Sequence, residues 1–324
     1  MSAAAVVGRP RRRDRARRAA PYLFVLPALA LFAVFKLYPI ARSFVLSLHT
    51  TAGGRDTFVG ADNYTRLLHD PLFWTALENT ATVLAVQVPL MLALATGLAV
   101  ALDSRLLRAR ALFRLGFFLP MVTGLVAYGV VFSVLLNEKY GLVNWLLQGV
   151  GIDAVPWLTD PLWAELSLAL ALTWHYTGYN AVILLARLQS IPAELYDAAA
   201  VDGAGAWKSF RHVTLPGLRP ALLLTTVLST IGTLQIFDEP YVLTHGGPDN
   251  ATLTIGMYLY QNAFSYFDFG YASAIAYALT ALIGVLGLIQ FKVLGDRDRD
   301  RDRGRGHGRG RGRSRDRGRT GGKR

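Results

Sequence analysis

Residues 190–216 read SIPAELYDAAAVDGAGAWKSFRHVTLP, a half-polar stretch set between two of the most apolar segments of a 324-residue chain. Glu194, Asp197, Asp202, Lys208 and Arg211 all fall inside it. In a soluble domain this would be an ordinary surface loop, but the composition points to another setting. The chain is 52% hydrophobic and 17% charged, against about 25% charged residues in typical soluble domains. Six segments, 21–40, 77–102, 111–136, 162–188, 221–243 and 271–294, are mostly apolar over the roughly 20 residues needed to cross a bilayer's hydrocarbon core. The expected fold is an all-α polytopic membrane protein with six transmembrane helices. Pro89 and Pro120 fall inside segments, which membrane helices tolerate when neighbours re-satisfy the backbone. No segment alternates with period two, which argues against a β-barrel.

Charge placement orients the spans. Residues 1–18 hold seven Arg and one Asp, and residues 292–324 hold fourteen basic and five acidic residues. The stretch between them carries thirteen basic and sixteen acidic residues, so the net charge of +12 belongs to the ends. Arg105, Arg108 and Arg110 lie in one short connection, and Lys208, Arg211 and Arg219 in the loop 189–220. The connection 137–161 offers only Lys139, and 244–270 has no Lys or Arg. All basic flanks share one side if both termini are cytoplasmic. Residues 11–18 followed by Ala28-Leu29-Ala30 also suit a cleaved signal peptide. The apolar run continues through Leu31, Phe32, Val34 and Phe35, so an uncleaved anchor is expected. The Arg/Gly-rich 295–324 lacks apolar residues to bury and, like the basic residues 1–20, is expected to be disordered. The tail lacks aromatic residues for base stacking, so lipid head groups rather than nucleic acid are its expected contacts.

Several chemistries are missing. With no cysteine in the chain, disulfides and thiolate sites are excluded. The six histidines are scattered without metal-ligand spacing. Neither a Gly-x-Ser-x-Gly elbow nor a phosphate-binding loop occurs. No metal, cofactor or catalytic residue is expected, and any uphill transport must draw on an ion gradient or a partner.

Within 190–216, Ser190 is placed to cap a helix starting near Pro192, and Asp202-Gly203 is a helix-ending signal. A second short helix, about 205–213, carries Trp207, Phe210 and Val213 on one stripe and stops before Leu215-Pro216. Ala198, Ala199 and Ala200 give the first helix a low face that lets another protein approach. A pair of interfacial helices that merely connect two spans is the competing interpretation.

The run Asp197-Ala198-Ala199, Asp202-Gly203-Ala204, Phe210 and Val213-Thr214-Leu215-Pro216 resembles the EAA loop of permease subunits from binding-protein-dependent ABC importers. Asp197 stands where that family usually has Glu, and Val213 where it has Ile. Residues 237–248, Thr252, Tyr260-Gln261 and 269–274, with Leu26-Pro27, Tyr38-Pro39 and Asn79-Thr80, are similar to sugar permeases of the maltose and glycerol-phosphate importer group. The resemblance covers about 20–294. It implies a type I importer permease fold in the bacterial plasma membrane. It also implies a second homologous permease, two ATPase subunits that bind the ATP and Mg, and an extracytoplasmic sugar-binding protein. Glu194, Asp197, Ala198, Ala199, Asp202, Gly203, Phe210, Leu215 and Pro216 would then form the ATPase-coupling loop.

Polar groups at membrane depth usually face a bundle interior or cavity. Trp174, His175, Tyr176, Tyr179 and Asn180 form the densest polar-aromatic cluster, joined by Gln87 and Gln235 as candidates for the translocation pathway. Bonding between neighbouring helices is the other role open to them, with His175 as a satisfied interhelical histidine. Asp238 and Glu239 fall at the outer end of the fifth span, at the mouth or on a hydrated rim. An ion-coupled secondary transporter would need a buried coupling carboxylate, and no Asp or Glu falls mid-span, Glu78 and Glu165 lying near span ends. A membrane anchor with an RNA-binding tail would leave the polar loop unexplained.

Overall fold

The computed structural model describes residues 13–50, 56–104 and 109–310. Helices α1 (Arg13–Phe32) and α2 (Tyr38–Ser47) are joined by a π turn into one apolar run. Two-residue strands β1 (His49–Thr50) and β2 (Thr57–Phe58) then pair antiparallel. Helices α3 (Asp62–His69), α4 (Pro71–Asp103), α5 (Arg110–Val122), α6 (Leu125–Leu135), α7 (Leu142–Gly149) and α8 (Pro161–Leu188) follow. The chain continues through α9 (Ala193–Val201), α10 (Ala206–Ser209), α11 (Leu215–Leu234), α12 (Asp238–Leu243), α13 (Ile255–Tyr260) and α14 (Phe269–Gly310).

Among the described residues, Phe24–Ser47, Pro71–Asp103, Ala206–Leu234 and Phe269–Val293 are each long and apolar enough to cross a membrane. Ala111–Val122 with Leu125–Leu135 reaches that length only as a pair bent by 98°, so the expected third span is broken rather than straight. Thr123 and Gly124 take extended backbone at the break. The expected fourth span is the 28-residue α8; its length suffices, but the polar run Trp174–Asn180 lowers its apolarity. The fifth run starts and ends earlier than the expected 221–243. The backbone is helical back to Arg13 and forward to Gly310. Residues 1–12 and 311–324 lie outside the described residues.

Local chemistry sets the long helices. Asp70 accepts from the Leu72 amide at 3.0 Å and Asp160 from the Trp163 amide at 3.1 Å, each followed by a proline in the first turn. Both are N-caps that occupy otherwise orphaned donors. Hydroxyls along the helices turn back onto their own carbonyls, as Thr80 does to Ala76 (2.6 Å), Thr173 to Ala169 (2.7 Å) and Thr225 to Ala221 (2.9 Å).

Helix α8 is the centre of the bundle, packing against α4, α5, α11 and α12. Small residues permit this. Ala95, Ala99, Ala181 and Ala221 share one core cluster with Leu102, Leu184 and Leu185, the close packing that small side chains allow between membrane helices. At Gly178 a Cβ would stand 1.6 Å from the Phe117 carbonyl oxygen, so the crossing of α8 with α5 tolerates only glycine. The last helix holds the first run: Tyr277 donates to the Ile40 carbonyl (2.6 Å), and Ser43 to Ser273 (3.1 Å).

One end of the bundle is tied by a carboxylate. Asp70 accepts from the hydroxyls of Tyr258 and of Tyr271, the latter at 2.5 Å, joining the starts of α4 and α14 to α13. Arg66 pairs with Asp268 at 2.7 Å and lies 3.8 Å from the Tyr271 ring centroid. Asn79 donates to the Asn250 and Leu253 carbonyls at 2.6 and 3.0 Å. Burial opposes the charge of Asp70, but the tyrosine hydroxyls and the Leu72 and Phe73 amides outweigh it and hold the carboxyl below its ordinary range. Burial, reinforced by donation to Asp70, pushes the Tyr258 hydroxyl up to about 12.

A lowered carboxyl stabilises the fold at pH values above its unfolded pKa of about 4, and that contribution disappears as pH falls through the folded value. Asp70→Asn is expected to lower the unfolding midpoint of the detergent-purified protein by roughly 3–8 °C at pH 7. The gap from wild type should close below about pH 4. Thermal unfolding followed across pH checks both statements.

Candidate functional site

Two features face each other along α8. The first is a cavity of about 150 Å³ where α4, α8 and α11 meet below the tip of α5. Gln87, Tyr176, Tyr179 and Asn180 line it, together with Met91, Met121, Leu228, Ser229, Gly232 and Thr233. Thr233 donates to Gln87 Oε1 at 2.9 Å. The amides of Gln87 and Asn180 both point at the Met91 sulfur, at 3.4 Å each. Thioether sulfur is a weak acceptor, so the Gln87 amide keeps donor capacity for another partner, while Asn180 also donates to the Tyr176 carbonyl at 3.0 Å. Two tyrosine rings beside convergent amides and hydroxyls match the chemistry that a sugar presents, with apolar ring faces and hydroxyl edges.

The structure therefore brings four of the seven expected pathway residues together and separates three. Trp174 lies on the opposite face of α8, lining a larger apolar hollow of about 750 Å³ with Leu94, Phe113, Phe117 and Leu170. That hollow lacks convergent polar groups, so its size is no guide to function. Gln235 ends α11 and lines a separate recess with Phe237 and Tyr260. His175 is buried and stacks on Tyr128 with ring centroids 4.4 Å apart. Its Nδ1 has no hydrogen-bond partner among the described residues.

Glu239 is a further correction. Expected at a mouth or rim, it is 3% exposed and accepts from the Tyr176 hydroxyl at 3.3 Å. The cause is the early end of α11. Residues 235–237 leave the helix, and α12 then turns back against α6 and α8. Non-helical backbone here is satisfied within the protein, the condition for irregular backbone in an apolar bundle: Thr254 donates to the Ile236 carbonyl at 2.9 Å. Sequence periodicity missed Met91, Met121, Ser229 and Gly232 because an apolar or small residue inside a span carries no signal of facing a cavity.

The second feature is the loop. Helix α9 ends as the Gly203 signal indicates: Gly203 has φ +72°, its amide donates to Ala200 (3.0 Å), and the Ala204 amide to Ala199 (2.9 Å). These paired bonds form a Schellman motif, which satisfies the last carbonyls of the helix. Ser190 does not cap α9; it is held at the end of α8 by bonds to Arg187 of 2.7 and 3.1 Å. The second helix does not stop before Leu215-Pro216. Residues 210–214 form a π turn that carries α10 into α11, accommodating the amide that Pro216 lacks. Leu215 and Pro216 are thus the first turn of α11.

Glu194, Asp197, Ala198, Asp202 and Gly203 are exposed, Ala199 and Phe210 half-buried. Val201 and Trp207 are 88% and 70% exposed, and Trp207 stacks on Phe210 at 5.6 Å. The base of the loop is fixed: Arg187 Nε donates to the Gly217 carbonyl at 3.0 Å, and Tyr196 bonds Thr214 at 3.1 Å. A Cβ at Gly217 would stand 2.5 Å from Ile191. The exposed acidic and apolar residues thus stand on a rigid base joining two of the helices that line the cavity, α8 and α11.

A family model described as "Binding-protein-dependent transport system inner membrane component" matches residues 16–299. The lactose transport system permease protein LacF of Rhizobium radiobacter is 46% identical over 281 residues, 85% of this chain and 94% of that one. The arabinooligosaccharides transport system permease protein AraP of Bacillus subtilis is 37% identical, covering 86% and 90% of the two chains. Among solved structures, a chain of a bacterial ABC transporter that imports the acidic polysaccharide alginate superposes with a TM-score of 0.76 at 23% identity. That alignment covers 88% of this chain and 98% of the other.

Proposed function

The chain belongs to the binding-protein-dependent transport system inner membrane components, and from that premise we propose that it is the permease subunit of an ABC importer for a carbohydrate. One observation carries this function: two of the helices lining the polar cavity, α8 and α11, are the two that the exposed 190–216 loop joins through a rigid base. A partner that moves α9 therefore moves the cavity walls. Family membership removes the need for an ion-coupled carrier acting alone. The relatives' sugar substrates and the cavity's paired tyrosines and amides support a carbohydrate as the solute.

In this assignment the chain pairs with a second, homologous permease above two ATPase subunits that bind ATP and Mg. An extracytoplasmic binding protein delivers the sugar. Glu194, Asp197 and Asp202 stay exposed, and the one ion pair among the described residues lies elsewhere, between Arg66 and Asp268. The three carboxylates are thus available to basic groups of an ATPase cleft. Val201 and Trp207 supply the apolar contact. Asp197, one methylene shorter than the usual Glu, keeps the charge that such a cleft recognises. Six spans with both termini cytoplasmic remain the topology that the basic flanks support, with α8 as the polar fourth span and the bent α5–α6 pair as the third.

Three experiments test this. Affinity purification of the tagged chain in mild detergent should recover a stoichiometric ATPase subunit; recovery of the permease alone removes the assignment. Gly203→Val places a β-branched residue at φ +72°, where the Cβ meets no neighbour and the cost is backbone strain of about 1–3 kcal/mol. Sugar uptake in that variant should drop at least about tenfold while membrane insertion and ATP hydrolysis persist. Because the chain has no cysteine, single substitutions report topology cleanly. Asp197→Cys should react with a membrane-impermeant maleimide only in inside-out vesicles, and Asp153→Cys only in intact cells.

A further inference from the structure

Above the cavity, four side chains converge that the transport cycle sketched so far leaves without a task. Glu239 on α12, Tyr128 on α6, and His175 and Tyr176 on α8 come from three helices. The first three are only 2–3% exposed. Tyr128 lies between the stacked ring of His175 and the carboxyl of Glu239, yet its hydroxyl has no hydrogen bond of ordinary geometry among the described residues. His175 Nδ1 is unpartnered too. Buried donors and acceptors are nearly always satisfied, since leaving one bare costs free energy. The bare His175 Nδ1, beside a Tyr128 hydroxyl that meets only the Glu239 carboxyl, points to a partner that arrives. The Tyr176–Glu239 bond, at 3.3 Å, is long for a hydroxyl on a carboxylate. Tyr176 belongs to both places: it lines the cavity and touches Glu239.

We propose that Glu239, with Tyr128 and His175 around it, is a specificity-determining site that reads the hydroxyl groups of a neutral sugar as it enters the cavity. The site rests on the carbohydrate importer function above and adds to it a residue and a substrate class. A carboxyl group accepts two neighbouring sugar hydroxyls, while the tyrosine hydroxyl and the imidazole nitrogen supply the donor and acceptor that now lack partners. Exchange of the long Tyr176 bond for sugar hydroxyls frees Tyr176 toward the cavity, so the outer site hands the solute inward. An acidic sugar is disfavoured, because a uronate entering a water-poor site needs a cation. No Lys or Arg stands among the residues lining the cavity or this cluster.

The test is equilibrium binding of radiolabelled lactose to the complete detergent-purified transporter without its binding protein, with lactobionate as the acidic competitor. Import of lactose into proteoliposomes by the wild type, with binding protein present, is measured in parallel. Wild type should prefer lactose to lactobionate by about tenfold or more. Glu239→Gln keeps shape and packing but removes the charge. It should weaken lactose binding about tenfold and shrink the preference, with ATP hydrolysis and assembly unchanged. Tyr128→Phe should weaken lactose binding less and leave the preference intact. Lactose binding and preference unaltered in Glu239→Gln, while the wild type imports sugar, overturns the Glu239 assignment alone. A wild type that neither binds nor imports any sugar overturns the carbohydrate function beneath it.

Discussion

A helix at the centre of an apolar bundle that carries Trp174-His175-Tyr176-Thr177-Gly178-Tyr179-Asn180 needs its polar edge enclosed, and the enclosure of α8 organises the rest of the bundle. Lipid offers no partner for an amide, a phenol or an imidazole, so the polar edge must face protein or a water-filled cavity. Four helices supply that protein, and they can come close because Ala95, Ala99, Ala181 and Gly178 present almost no side chain. Gly178 against the Phe117 carbonyl sets the position of α5, and the 98° break after it lets α6 lie back over His175. The cavity between α4, α8 and α11 is what remains when helices with small residues at one level and polar residues at the next pack around one axis. The site is thus a consequence of how α8 is buried.

How legible this was in the chain depends on which physical signal each feature leaves. Apolar length is cumulative, so a mostly helical membrane fold emerges without alignment. Gly203 is also readable alone, because few residues end a helix at positive φ and close a Schellman motif there. The 98° bend at Thr123-Gly124 left no such mark, since glycine and a nearby proline are common in straight membrane helices. The continuity of α10 with α11 was hidden by Pro216, which reads as a stop until the π turn at 210–214 absorbs the missing amide. Gln87, Tyr176, Tyr179 and Asn180 were found because polar residues are expensive in a span. Trp174 was misplaced because expense does not tell which face of a helix a residue occupies. Glu239 was misplaced because its depth depends on α11 stopping at Leu234, a break enforced by distant contacts from Thr254 and Gly256.

The two ends of α4 differ in kind, and that difference suits a lever. At the Asp70 end, a charged carboxylate, two tyrosines, an ion pair and the Asn79 amide lock α4, α13 and α14 together. At the other end, where Gln189 touches Asp103 at 3.4 Å, the loop is fixed only at its base and its acidic tip stands in solvent. Thirty-three residues of helix separate them, roughly 50 Å at 1.5 Å per residue. Between the two ends lies the level of Gln87, Tyr179 and Asn180, where, among the described residues, Thr233 donates to Gln87 across helices at 2.9 Å. The contacts to Met91 sulfur are soft and polarizable, so they accommodate a change in helix spacing that a rigid network of oxygen acceptors would resist. Weak bonding at the cavity, between a locked platform and a loaded handle, is the mechanical condition for two packed states of one bundle.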